Sequence, residues 1–219
     1  MVRNRQNPSY HWLGLKQRAF RSAIDVGANT GQFARRLRQH FPGIELHCFE
    51  PLPGAFSELA AWAASAGNVH LYNMALGSRG GRVEMFAHPD HSPSSSLLRR
   101  TDLSVDYYPQ TLRQQALMVE MRRLDDALAA ADQQPTAPTL LKLDVQGSEG
   151  EVLAGAPQLL RSVSAVIVEV CLDLLYEDQS SFPDVLRRLE TAGLRYAGNL
   201  NQVYGVDGHV VYIDAVFCR

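Results

Sequence analysis

Cysteine is scarce in this chain: Cys48, Cys171 and Cys218 are odd in number, far apart, and without the close pairs that zinc sites and redox motifs use. That excludes a disulfide scaffold and makes a reducing, cytoplasmic compartment the expected home. Long hydrophobic runs are missing too. Stretches such as Ala165-Val166-Ile167-Val168 are far too short to cross a bilayer, and the polar, basic start Met1-Val2-Arg3-Asn4-Arg5 has no apolar run behind it, so no membrane association is expected. Nor does one sign of charge dominate. With Lys plus Arg at 21 and Asp plus Glu at 23, the net charge of -2 gives no global pull toward nucleic acid or anionic lipid. What is there, 46% hydrophobic and 20% charged residues in a chain of 219, excludes disordered, collagen-like and coiled-coil classes and fits one domain at roughly 150 residues each.

The pattern along the chain alternates. Ala23-Ile24-Asp25-Val26 is a short β-prone run ending at Gly27, and Phe33, Leu37 and Phe41 then recur at helical spacing until Pro42-Gly43. Residues 44–49 predict a second strand, 55–66 an alanine-rich helix between Gly54 and Gly67, and 69–74 a third strand. Further strands are expected at 82–87, 119–124, 139–143, 164–170, 194–197 and 210–218, and helices at 125–131, 149–160 and 182–192. Strands and helices in this order argue for a parallel sheet covered by helices on both faces. Residues 88–96 form a polar, proline-punctuated loop, and 97–115 carry no clear period. Nothing divides the chain, so 1–219 reads as one domain with 1–21 as an N-terminal extension and 88–118 as a lid or substrate-binding insertion.

Two clusters can carry chemistry. Asp25-Val26-Gly27-Ala28-Asn29-Thr30-Gly31 lies where the first strand becomes the first helix, the place at which doubly wound folds bind nucleotides. Asn29 occupies the position where dinucleotide sites need a glycine to bring the backbone against a pyrophosphate, and no P-loop lysine follows. Glu50, at the tip of the second strand, can accept hydrogen bonds from both hydroxyls of a ribose. A glycine loop without a pyrophosphate signature together with a ribose-binding acid points to S-adenosyl-L-methionine.

The second cluster, Leu141-Lys142-Leu143-Asp144-Val145-Gln146-Gly147-Ser148-Glu149, puts Asp144 at a strand tip facing the ligand crevice and Lys142 one layer deeper on the same side. A lysine there needs a carboxylate, which Asp144 or Glu169 can supply. Glu169 ends the next strand. Two acids on neighbouring tips serve as base and orienter or as ligands for a hard divalent metal; a metal is compatible with the pair, but none is assigned. His88 and His91 in the covering loop are rival bases.

These residues resemble the FkbM-type family of S-adenosylmethionine-dependent methyltransferases. The resemblance runs from Ala23 to the C-terminus through the Asp25–Gly31 loop, Phe49-Glu50-Pro51, Asn73-Met74-Ala75-Leu76-Gly77, Ser94-Ser95-Ser96-Leu97, Leu124-Asp125-Asp126 and the Lys142–Glu149 stretch with Val152-Leu153-Ala154-Gly155. Arg123 stands where the family commonly has threonine. The resemblance implies an α/β, three-layer Rossmann-like class I methyltransferase fold, with a seven-stranded, mostly parallel sheet whose last strand, at 210–217, runs antiparallel. It implies methylation of a hydroxyl on a small molecule such as a sugar or secondary metabolite. Asp25, Gly27, Ala28, Asn29, Gly31, Glu50, Pro51, Leu52, Ala75, Leu76, Ser96 and Asp144 are the expected cofactor contacts. Asp144 is the first expected base, with Lys142, Glu149 and Glu169 supporting or sharing its role.

Other classes compete with this reading. A nucleic-acid methyltransferase shares the catalytic domain and would draw on Arg99, Arg100, Tyr107, Tyr108, Arg113, Arg122 and Arg123 as a basic, aromatic surface. The slightly negative net charge favours a solvated lid there and no nucleic-acid partner. A non-catalytic cofactor-binding protein is the third option. The oligomeric state is open, with a homodimer among the options.

Overall fold

A computed structural model describes residues 10–132 and 134–219; the first nine residues of the expected N-terminal extension lie outside the described ones. The elements run α1 (Tyr10–Lys16), β1 (Ser22–Val26), α2 (Gln32–His40), β2 (Glu45–Phe49), α3 (Pro53–Ala66), β3 (Val69–Tyr72), β4 (Ala75–Leu76), β5 (Gly81–Ala87), α4 (Asp102–Tyr107) and β6 (Gln115–Arg122). After these come α5 (Leu124–Ala129), β7 (Thr139–Leu143), α6 (Glu149–Ala154), β8 (Ala165–Cys171), α7 (Phe182–Thr191), β9 (Arg195–Tyr204) and β10 (Val210–Cys218). Single 3-10 turns lie at Ser92–Ser94, Pro109–Thr111 and Leu159–Arg161.

Seven strands form one sheet in the order β3-β2-β1-β7-β8-β10-β9. Pairings from β3 through β8 are parallel, whereas β10 is antiparallel to both β8 and β9. β1 and β7 are buried along their whole length, as parallel strands covered on both faces must be, and this is why they read as largely apolar runs in which Asp25 and Lys142 are the charged exceptions. Alternation sends Ile24, Val26, Leu141 and Leu143 toward Leu124, Leu128, Val152 and Leu189 on one face. Ala23, Leu46 and Leu140 face Trp12, Ala34, Leu37 and Leu59 on the other. Among the described residues no helix is long and apolar enough to cross a membrane.

Three local differences from the sequence pattern have physical causes. α6 ends at Ala154 instead of running to 160, because Pro157 has no amide to continue the helix, while Gly155 lies so close to the backbone of Gly77 that a Cβ there would be 2.1 Å from its carbonyl oxygen. Asp125 then accepts from the amides of Gln158 (2.7 Å) and Leu159 (3.0 Å), which fixes the following 3-10 turn. β9 extends to Tyr204 because its bulged ladder with β10 satisfies a polar edge strand that shows no apolar period. The strand expected at 119–124 begins at Gln115, pairing antiparallel with β5 in a small second sheet with β4. That sheet packs Ala75, Met85, Val119 and Met121 against Leu52 and Ala55, beside the crevice.

Candidate functional site

A cavity of about 320 Å³ opens above the carboxyl ends of β1, β2, β7 and β8. Its first half is shaped by main chain. Gly27 (φ 82°), Asn29 (φ 47°) and Gly31 (φ 89°) take left-handed backbone, and the amides of Gly27 and Ala28 both donate to the carbonyl of Phe49 at 3.0 Å. A Cβ on Gly27 would sit 1.9 Å from the carbonyl oxygen of Asp144, so only glycine lets β1 and β7 meet there.

Glu50 is almost fully buried at the cavity wall. Its Oε2 accepts from the amide of Asn29 and its Oε1 from that of Leu52, each at 2.8 Å. Each oxygen keeps a lone pair free for a ligand hydroxyl. Burial pushes the carboxyl up to about 7, against the pull of those two amides. Asp25 is also buried and is raised by burial to about 7, although Lys142 pulls the other way; its Oδ2 has no partner and the residue lines the cavity.

Side chains make the second half. Gln146, with φ 57°, donates through Nε2 to Asp144 Oδ1 (2.8 Å) and Glu169 Oε1 (2.7 Å), and its Oε1 accepts from the Tyr176 hydroxyl at 2.7 Å. Lys142 lies beneath with its Nζ 3.3 Å from both Asp144 Oδ2 and Asp214 Oδ1. Burial alone would lower this ammonium, but the carboxylates of Asp144 and Asp214 outweigh it and hold the group above its ordinary value. Burial, with the neighbouring Asp144 charge, pushes Glu169 well above the usual carboxylate range.

Among the residues singled out in the sequence, Asp25, Gly27, Ala28, Asn29, Glu50, Pro51, Leu52, Ala75, Leu76, Asp144 and Glu169 line this cavity. Gly31, Ser96, Lys142 and Glu149 stand behind its wall. Glu149 turns back to accept from the amides of Val145 (3.0 Å) and Gly147 (3.2 Å), holding the loop after β7, and burial raises it to about 7. Ser96 donates to the carbonyl of Gln146 at 2.7 Å. His91 lines the cavity, whereas His88 is buried beside the carbonyl of Arg113, where desolvation lowers its pKa. The arginines weighed as a nucleic-acid surface are engaged locally. Arg100 donates to Thr111, Arg113 approaches Asp90, Arg122 pairs with Glu120 and Arg99 covers the ring of Phe86.

The sequence reading passed over Gln146, Tyr176 and Tyr212 as site residues and Asp214 as a partner of Lys142. Gln146 carried one signal, a polar amide inside the Asp144–Glu149 stretch. Tyr176 belongs to a connection and Tyr212 and Asp214 to a strand far along the chain, so spacing gave no cue.

The strand order with one reversed strand, and a crevice above the point where β1 meets β7, define the class I methyltransferase fold. Within that class the chain belongs to the FkbM methyltransferase family, whose domain model, described as "Methyltransferase FkbM domain", matches residues 25–196. It is 30% identical over 163 residues to the 2-O-methyltransferase NoeI of Sinorhizobium fredii, covering 71% of this chain and 65% of that protein. It is also 30% identical over 164 residues to the 31-O-demethyl-FK506 methyltransferase FkbM of Streptomyces tacrolimicus, covering 65% and 62%. The chain thus spans just under two thirds of the length of both relatives. A solved FkbM methyltransferase from Methylobacillus flagellatus KT superposes with a TM-score of 0.57 at 14% identity, over 92% of this chain and 44% of that one, a likeness of fold.

Proposed function

We propose that the crevice binds S-adenosyl-L-methionine and that the chain directs methyl transfer to a hydroxyl oxygen of a small molecule, a sugar or secondary metabolite. The observation that carries this reading is Glu50, a buried carboxylate clamped by two amides with one lone pair per oxygen left toward the cavity. That is the acceptor pattern a ribose diol requires. Met74, Leu76 and Leu52 offer an apolar wall beside it for a planar base, and the 27–31 loop shapes the other end. When bound, the cofactor supplies an electrophilic methyl group on a sulfonium.

The chain's own task is to hold the acceptor in line, exclude water and take a proton. Asp144 reaches the cavity with one oxygen held by Gln146 and the other by Lys142, so a remaining lone pair has a fixed direction for the acceptor hydroxyl. Glu169, raised well above the ordinary carboxylate range by burial, accepts from Gln146 through Oε1 and so braces the amide that holds Asp144. Lys142 and Gln146 are positioning residues. His91, Ser92 and Tyr108 close the crevice, which supports residues 88–118 as the acceptor lid. The relatives' names, a 2-O-methyltransferase and a 31-O-demethyl-FK506 methyltransferase, support an oxygen acceptor. Free Cys48, Cys171 and Cys218 support a reducing, cytoplasmic setting.

Calorimetric titration with S-adenosylhomocysteine tests the base of this reading. The expected result is binding on the order of micromolar, weakened roughly 10-fold or more in Glu50→Ala because two charge-assisted hydrogen bonds are lost. No binding to the folded chain, alone or with hydroxylated sugars present, removes the reading.

A further inference from the structure

At the opposite end of the sheet, three side chains converge in a way hydrogen bonding does not explain. Glu45 and His47 are two residues apart on β2 and share a face, and His70 stands beside His47 in the register of β3. Both histidine Nε2 atoms lie 3.5 Å from the same carboxylate oxygen, Glu45 Oε1. Both nitrogens are sealed from solvent, yet neither makes a hydrogen bond. His47 is wholly buried at 0% exposure, where an unpaired polar group is costly.

The two nitrogen-to-oxygen spacings are those of a ligand set. A zinc ion holding imidazole nitrogens and a carboxylate oxygen at about 2.0–2.1 Å in a tetrahedron sets neighbouring donor atoms roughly 3.4 Å apart. The two nitrogen-to-oxygen separations here are each 3.5 Å, and the three donor atoms all lie within 4.8 Å of one another. Outer contacts already aim them. His47 Nδ1 is 3.1 Å from the Tyr72 hydroxyl, which leaves Nε2 as the free donor atom when Nδ1 carries the proton. Glu45 Oε2 accepts from the Thr136 amide at 3.1 Å, which leaves Oε1 facing the two rings. Glu45 and His70 reach the surface, at 12% and 24% side-chain exposure, and provide an entry edge.

We propose that Glu45, His47 and His70 form a binding site for Zn²⁺. It clasps β2 to β3 and, through Thr136, the connection leading into β7. Five residue steps of extended chain lead from Glu45 to Glu50, roughly 16 Å at ~3.3 Å per residue, so the site stands apart from the crevice and from the methyl-transfer reading.

The test is a titration of the chelator-stripped chain with Zn²⁺ against a chromophoric chelator, paired with thermal melts. The expected result is one equivalent bound with a Kd on the order of micromolar or tighter and a higher melting midpoint with the ion. His70→Ala and Glu45→Gln should each weaken binding at least about 10-fold and abolish the midpoint shift. Far-ultraviolet dichroism checks that both variants fold without metal, and if one does not, the other carries the test. His209→Ala, which dismantles the exposed group of His209, Asp173 and Asp207, should bind Zn²⁺ as the parent does. Absence of binding in the folded parent, binding that survives both site substitutions, or binding lost with His209→Ala overturns the proposal.

Discussion

The two halves of the crevice are built by different means. Around Gly27, Asn29 and Glu50 the contacts are main-chain amides within a span of 26 residues, fixed once β1 pairs with β2. Around Asp144, Gln146 and Glu169 they are side chains from β7, β8, the 88–118 segment and the connection after β8, joined through bonds such as Tyr176 to Gln146, 30 residues apart. Affinity for the cofactor should follow the first half and turnover the second, because a main-chain cradle holds a ligand while a side-chain network sets a proton's path.

Gly27 is where the halves touch, and its replacement should have the largest effect. Gly27→Ala forces a Cβ against the Asp144 carbonyl at a positive φ, and a loss on the order of 3 kcal/mol or more is expected in denaturant unfolding. An unchanged unfolding midpoint would show that the junction adapts freely.

Next comes the division between halves. Asp144→Asn should lower kcat roughly 100-fold or more, with the fold intact because Lys142 keeps Asp214 and with S-adenosylhomocysteine affinity far less affected. Equal losses in both readouts would erase the distinction. Glu50→Ala should do the reverse, raising the S-adenosylhomocysteine Kd by roughly 10-fold or more while kcat at saturation moves little. Because the Glu50 carboxyl is raised to about 7, parent affinity should also fall between pH 8 and 6 as the acceptor is protonated. Persistence of that pH dependence in Glu50→Gln would assign it to another group.

The smallest effect is on stability. Asp25, Glu50 and Glu149 titrate near 7 in the fold and Glu169 is raised well above its ordinary value, all chiefly through burial, whereas the same groups in the unfolded chain are fully ionised above pH 6.5. Between pH 8 and 6.5 the native state therefore takes up protons that the unfolded state does not, and stability rises as pH falls. Below 6.5 the sign is contested, since His40, His47 and His88 are lowered by burial and the unfolded chain protonates them first. Thermal midpoints of the ligand-free chain should climb from pH 8 to 6.5 and then level off; a steady fall over that window would contradict the raised carboxyls.

Much of this was legible in the sequence where physics is local. The first strand, its glycine turn and its helix could be read because alternation, left-handed turn residues and helical spacing lie within about 20 residues of each other. β7, β8 and β10 were readable as apolar or alternating runs bounded by turns. The 97–115 segment was opaque for the opposite reason. Leu98, Leu103, Tyr107 and Tyr108 pack on Cys171, Leu175, Tyr176 and Val211, so its apolar residues answer to distant surfaces and show no period of their own. The overlong reading of α6 has a different origin, since it followed apolar spacing through Pro157, whose missing amide ends a helix.

The sequence by itself determined the alternating architecture, the glycine loop after β1 and the acidic strand tips, because each is set by turn chemistry and by the faces that residues i and i+2 must share. Only the tertiary structure decided how the acids differ. It turned Glu149 back onto its own loop, brought Asp214 to Lys142, made Gln146 the bridge between Asp144 and Glu169, and gathered Glu45, His47 and His70 at the far end of the sheet. Burial and the direction of a lone pair are properties of packed neighbours, and those neighbours come from parts of the chain that no local pattern connects.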